Sequence, residues 1–226
     1  MLRFTRVKLS IKLLIIISFL SAAGCAGTGS KTVNDSILSS LQGKTLSLII
    51  HEAPDFLAIT PEKNMLNQAG FNAAVTDGNQ LVQERGIYDP AGELSRRLAE
   101  AIHADYGLVY DADLVKKSRA RDTKALVRLA NRRDYALSVE TSGWLFTHNI
   151  KHKNYHVKYY ATARLIDVGQ SRVIWKNSCE YDSLAVGNPL VSYQQLLEDD
   201  AAYLKQSLDE ASEICANYFF ADLRGE

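Results

Sequence analysis

Charge of one sign is missing from this chain: 26 Lys and Arg face 26 Asp and Glu, for a formal net charge of zero. Such a balance gives no electrostatic footprint for a nucleic acid. Long apolar runs are missing too. The most hydrophobic stretch, residues 13–20, already contains Ser18, whereas crossing a ~30 Å hydrocarbon core takes about 20 apolar residues. No Gly-x-Ser-x-Gly elbow, Gly-rich phosphate loop or His-Glu-x-x-His pair occurs, which removes the common hydrolase, nucleotide-binding and zinc-protease signatures. Internal repeats and low-complexity blocks are absent, so the chain is long enough for one domain with a sizeable core and shows no sign of a solenoid. Cysteine is scarce, at three residues, and the position of each carries information.

What is present begins at the N-terminus. Arg3, Arg6, Lys8 and Lys12 precede the apolar stretch with no acidic residue among them, and Ser21-Ala22-Ala23-Gly24 follow it directly before Cys25. A basic segment, a short apolar segment and small residues describe a cleaved export signal rather than a membrane span. The end of this pattern resembles the lipobox of bacterial lipoproteins, with Ala22 where leucine is commoner. That resemblance implies a cut before Cys25, diacylation of its thiol by palmitate-type chains and, often, acylation of the new amine. Two or three acyl chains, each worth ~0.8 kcal/mol per buried CH₂, anchor a protein effectively for good. Ala26 stands where an aspartate would resemble an inner-membrane retention signal, and this favours the periplasmic face of the outer membrane. Residues 1–24 are therefore expected to be a signal peptide, 25–43 the lipid anchor with a small, polar tether, and 44–226 a single α/β periplasmic domain.

Without the signal the balance becomes 22 basic against 26 acidic residues, a mildly acidic domain. Cys179 and Cys215 remain as an even pair in an oxidising compartment. Cys179 ends the strand-like run 172–179, on the face of Val173 and Trp175, and Cys215 lies on the apolar stripe of the last helix. A disulfide between them is expected, with two buried free thiols as the alternative.

Strand and helix patterns alternate along the mature chain. Thr45–His51 is apolar and β-branched enough for a buried strand. Residues 65–86, rich in Ala, Gly and Asn, have no clean period, although their second half suits a helix. Asp89-Pro90 opens a helix to Tyr106 with Leu94, Leu98 and Ile102 as its stripe and Gly107 as its stop. Short strand and helix patterns follow at 108–110 and 122–132. Residues 135–145 and 156–167 alternate, with Leu137 and Val139 on one strand and Val157, Tyr159, Ala161, Ala163 and Leu165 on the other facing inward. A turn at 167–171 leads into 172–179, giving a three-strand antiparallel meander. Ser192-x-x-Gln195 is a capping box for a long C-terminal helix. The fold class read from this order is α/β (α+β): a sandwich of a mixed sheet with that meander, packed by helices.

The segments Asp134-Tyr135-Ala136-Leu137, Tyr159 to Asp167 (YYATARLID) and Arg172-Val173-Ile174-Trp175 resemble the meander of envelope lipoproteins related to the curli secretion channel and to penicillin-binding-protein activators. In that group the pattern recurs on an α/β sandwich and carries no catalytic residues. The poor alternation of 65–86 does not resemble a membrane hairpin, so a relative that forms no pore is the better comparison.

Candidate site residues are few. Trp144, Phe146, Tyr155 and Tyr160 lie in or beside the 134–167 hairpin, where they form either a partner-binding contact patch or a surface covered by a second layer such as the 122–132 helix. Lys151, His152, Lys153 and Lys158 make the hairpin tip basic. His148, His152 and His156 recur every four residues and would share a face on a helix as metal ligands, but the segment joins two strands and holds no orienting carboxylate. Serines 138, 142 and 183 have no base nearby in sequence. The expectation is a non-catalytic lipoprotein with no cofactor, anchored through Cys25, that binds an envelope protein or its own copies. A metal- or small-ligand-binding protein and a hydrolase are the alternatives.

Overall fold

The computed structural model describes residues 38–63, 65, 67–130, 132–149 and 154–226. The expected signal peptide, Cys25 and His152 lie outside the described residues. The last part of the expected tether belongs to the fold: Leu38 and Leu41 are buried in the main core, three residues apart on one turn. The polar Ser and Gln around them hid this in the composition.

Among the described residues six strands form one mixed sheet: β1 (Thr45–His51), β2 (Leu57–Ile59), β3 (Val109–Ser118), β4 (Tyr135–Asn149), β5 (Asn154–Asp167) and β6 (Arg172–Asp182). The order across it is β3-β1-β4-β5-β6, and β2 pairs with the far end of β4. β1 runs parallel to β3 and β4, whereas β4, β5 and β6 make the expected antiparallel meander. Parallel neighbours need crossovers, and these supply the helices: α1 (Gln68–Arg85) and α2 (Ala91–Tyr106) between β1 and β3, and α3 (Thr123–Leu129) between β3 and β4. The C-terminal α4 (Tyr193–Arg224) is the last helix among the described residues. The protein is thus an α/β sandwich with a mixed open sheet and a long C-terminal helix.

Leu94, Leu98 and Ile102 of α2 are buried together with Leu204, Leu208 and Ala211 of α4 against the sheet. Arg97 ties the two helices at their rim through Asp209, at 3.1 Å, and Glu213, at 3.6 Å. Pro90 already has helical φ and ψ (−61°, −18°), and the Asp89 carboxylate accepts from the Ala91 N–H, so the predicted Asp-Pro start of α2 is present. The capping box at Ser192 and Gln195 is formed as well.

Three segments depart from the sequence reading. α1 is helical throughout, capped by Asn67, whose side chain accepts from the Gly70 N–H at 2.7 Å. Its period was obscured because it covers only the short β2, and Gly78 sits so close to that strand that a Cβ would lie 2.0 Å from the Phe56 carbonyl oxygen. β3 extends to Ser118 rather than ending at Tyr110; it is an edge strand, where charged residues such as Lys116 and Lys117 are tolerated and blur the alternation. α4 is broken near its start: Asp199, Asp200 and Ala201 have φ between 50° and 60°, a left-handed turn between 193–197 and 202–224. L-residues adopt that region at a cost of roughly 1–2 kcal/mol each.

Two β-bulges reset which residues face the helices. The β4–β5 register shifts between Thr141 and Gly143, so the inward set on β4 changes from Leu137 and Val139 to Trp144 and Phe146. The β5–β6 register shifts between Leu165 and Ile166, which puts Val173 on the α3 side with Ile166 while Trp175 and Cys179 face α4.

Candidate functional site

Three groups of residues merit comparison as sites: the aromatic end of the meander, the polar groups on the α3 side of the sheet, and a cleft at the opposite end.

The first lies where β4 and β5 extend past the rest of the sheet. Trp144, Phe146 and Tyr155 are buried, which corrects the picture of an exposed contact patch made of these rings. The bulge before Trp144 turns it and Phe146 inward, and Tyr155 continues the inward phase of Val157 and Tyr159. Phe56 meets Trp144 edge-on at 5.0 Å between centroids and Phe146 at 6.0 Å. Phe146 in turn meets Tyr155 at 5.7 Å, and Tyr193 caps both. The Trp144 indole N–H donates to the Pro54 carbonyl at 2.8 Å. The covering layer is therefore the β2 strap and the start of α4, whereas α3 lies on the other side. Only Tyr160, half-buried on the α3 side, remains where the alternation placed it. The exposed apolar groups at this end are others: Leu184 at 39%, Val186 at 44% and Tyr193 at 46%.

The histidines expected as a metal set are separated by the pleat. His148 pairs across the strands with Tyr155 and His156 with Thr147, so the two imidazoles project from opposite faces of the sheet. His156 Nδ1 lies 2.7 Å from Asp182 Oδ1, and Lys158 Nζ lies 2.9 Å from the other carboxylate oxygen. Burial raises the pKa of the Asp182 carboxyl, but these two partners outweigh it and hold the group below its usual value. Asp182 comes from β6, 26 residues away, and nothing local in sequence announced it. Among the described residues no three His, Cys, Asp or Glu side chains converge on a metal position.

A second histidine has a nucleophile beside it. His51 Nε2 is 2.9 Å from Ser138 Oγ, joining the end of β1 to β4, and both residues are fully buried. No base for Ser138 is visible in its own segment because the partner lies 87 residues away, brought there by the parallel β1–β4 pairing. Burial, the largest influence, pulls His51 below its ordinary 6.5; Glu140 opposes this, and Arg164 and Arg121 reinforce it. Glu140 is held by Arg164 at 2.9 Å and Arg121 at 2.7 Å, and His51 Nδ1 has no hydrogen-bond partner. A nucleophile–base pair needs a third group on the far nitrogen and an open approach for substrate. This pair has neither, so it acts as a polar contact inside the fold.

The third group lines a cleft of about 410 Å³ at the end of the sheet where β1 and β4 begin. Lys44 leads into β1; Arg132, Arg133 and Asp134 lead from α3 into β4; Asp167, Val168 and Gly169 turn from β5 toward β6. Asp134 Oδ2 accepts from the Thr45 N–H and hydroxyl, both at 2.8 Å, and these bonds lower its pKa. Asp167 Oδ1 accepts from the Gln170 N–H at 2.8 Å. The carboxylates are thus engaged by the chain's own backbone and hydroxyls.

Cys179 and Cys215 form a disulfide, with Cα atoms 5.7 Å apart, that joins β6 to α4. The expected staple between sheet and last helix is therefore in place.

No family model and no curated protein matches this chain. Similar solved structures include protein XCC0632 from Xanthomonas campestris, at 13% identity over 82% of this chain and 89% of that one, with a TM-score of 0.37. Another is the PelC dodecamer from Paraburkholderia phytofirmans, at 15% identity over 76% and 88%, TM-score 0.28. A third is the lipoprotein GNA1162 from Neisseria meningitidis, at 19% identity over 60% and 82%, TM-score 0.24. A lipoprotein thus stands among the similar structures, at identities that transfer no residue's role.

Proposed function

We propose that this chain is a non-catalytic lipoprotein of the bacterial cell envelope, an accessory factor that binds a protein partner during surface assembly or secretion. Its anchor is the lipid on Cys25, and Ala26 directs it to the periplasmic face of the outer membrane. The observation that carries the binding role is the exposure of Leu184, Val186 and Tyr193, each more than one-third in solvent, toward the end where β4 and β5 meet. Large apolar side chains left partly in water at one end are what a protein partner covers. The buried rings Trp144, Phe146 and Tyr155 take the supporting part, holding Tyr193 in place rather than touching the partner.

The test is capture of C-terminally tagged protein from detergent-solubilised native membranes, beside Cys25→Ala and a Leu184→Asp/Tyr193→Asp double variant. One envelope protein, or a second copy of the chain, is expected to co-purify with the wild type and to be lost from the double variant. Recovery of the wild type alone and monomeric contradicts the binding role. A second reading, binding of a small ligand, is favoured by the cleft beside Arg132 and Arg133. The hydrolase alternative would depend on His51 and Ser138, and their burial weighs against it.

A further inference from the structure

Most arginines of the described fold are paired. Arg96, Arg97, Arg119, Arg121, Arg164 and Arg224 each lie within 3.6 Å of a carboxylate, and Arg85 lies 4.0 Å from one. Among the described residues four arginines take no part in an ion pair: Arg128, Arg132, Arg133 and Arg172. All four belong to one end of the molecule. Arg132 and Arg133 line the cleft, Arg128 is in the last turn of α3 just before it, and Arg172 opens β6, paired across the strands with Asp167 of the cleft. Lys44 adds a fifth cation at the mouth, 3.6 Å from Asp134. Arg132 also holds a left-handed backbone, φ 65°, which a non-glycine residue keeps only where its surroundings require it.

We propose that this cleft binds a phosphate group, and that the phosphate belongs to lipid headgroups of the membrane that carries the protein. Two adjacent guanidinium forks match the oxygens of a phosphate, each able to donate a pair of hydrogen bonds. Three cations, Lys44, Arg132 and Arg133, line the cleft against two carboxylates, Asp134 and Asp167, so the cleft keeps a positive excess. The source follows from chain direction. Lys44, on the cleft wall, directly precedes β1, and only 12 residues lie between Cys25 and Leu38 at the start of the described fold, 13 peptide steps in all. Those residues span at most about 45 Å when extended. A chain tied to the membrane at Cys25 therefore keeps this end within reach of the headgroup layer. The location rests on the lipoprotein reading; the phosphate specificity does not.

The experiment titrates the intact protein, purified in neutral detergent, with sn-glycerol 3-phosphate as the soluble headgroup. In parallel it measures binding to nanodiscs of phosphatidylglycerol and of a phosphate-free galactolipid. Arg132→Asn, which tolerates the left-handed backbone, combined with Arg133→Gln, is the test variant, and Lys205→Gln, on α4, is the charge control. The expected result is saturable glycerol phosphate binding, preference for phosphatidylglycerol over galactolipid, and a loss of at least tenfold in both for the double variant but not for the control. Glycerol phosphate binding without any nanodisc preference supports the site and overturns the membrane source. Equal binding by wild type and double variant overturns the site, provided both melt at the same temperature. Mass spectrometry of the N-terminal peptide reports separately on Cys25, so failure of the anchor is distinguishable from failure of the cleft.

Discussion

On one side of the sheet, α2 and α4 seal Trp175, Tyr159, Tyr181 and Phe219 into the main core, stapled by the Cys179–Cys215 bond. On the other side, α3 covers a patch built on Ile49, Ala136 and Ile166, and beside it lie His51, Ser138, Glu140 and Arg164. Charge follows the same division. Residues 193–226, on the first side, hold eight acids and two bases, whereas 119–133, on the second, hold six bases and one acid. A chain whose overall charge is nil thus has two unlike layers. The thick layer holds most of the buried side chains, and the thin one most of the basic surplus.

The largest expected effect tests whether stability divides the same way. Trp175 is fully buried, meets Phe219 edge-on at 5.7 Å and donates its indole N–H to Asp222 at 2.8 Å. Trp175→Ala is expected to cost about 4 kcal/mol, and Leu126→Ala in the thin layer about 2 kcal/mol, at the lower end for buried leucines. Urea unfolding of both variants measures the ratio, and equal losses would mean that the layers share stability evenly. Reducing the disulfide comes next. Its 36-residue separation corresponds to roughly 3–4 kcal/mol of loop-closure entropy. Unfolding with and without reductant measures this, and the loss should add to that of Leu126→Ala, which lies across the sheet.

Smaller effects sharpen the comparison on each side. On the thin side, burial lowers the pKa of His51 from 6.5, so the unfolded chain takes up this proton first as pH falls. Stability from the neutral imidazole is complete above the unfolded pKa and declines as pH drops below about 6.5. Subtracting the pH profile of His51→Gln from that of the wild type should leave this decline; superimposable profiles would show that His51 does not titrate differently on folding. On the thick side, Asp199→Gly relieves one left-handed residue in α4. A gain of up to about 1 kcal/mol is expected in thermal unfolding, the relief being partly offset by the added freedom of glycine in the unfolded chain.

Local signals were read correctly where one element suffices to make them. The Asp89-Pro90 start, the Leu94–Leu98–Ile102 stripe, the Ser192 capping box, the meander and the cysteine pair all follow from spacing along one segment. Misplacements arose where a single residue changes phase or where partners are distant. The extra residue at the β4 bulge moved Trp144 and Phe146 from the expected surface into the core. His51 with Ser138, and His156 with Asp182, meet only through strand pairing. The cleft has no local signature for the same reason: Lys44, Arg133 and Gly169 come from three segments. A surplus of seven bases over acids in 116–133 is present in the sequence and is diluted by the neutral total.

The central claim is that the protein works from a membrane to which a lipid at Cys25 ties it, basic end inward. The most direct measurement is mass spectrometry of the N-terminal peptide from protein extracted from its native membranes. The account predicts a peptide that begins at Cys25 and carries at least two acyl chains, and a Cys25→Ala form that leaves the membrane fraction or keeps residues 1–24. An unmodified N-terminal peptide, or one that begins elsewhere, would contradict it.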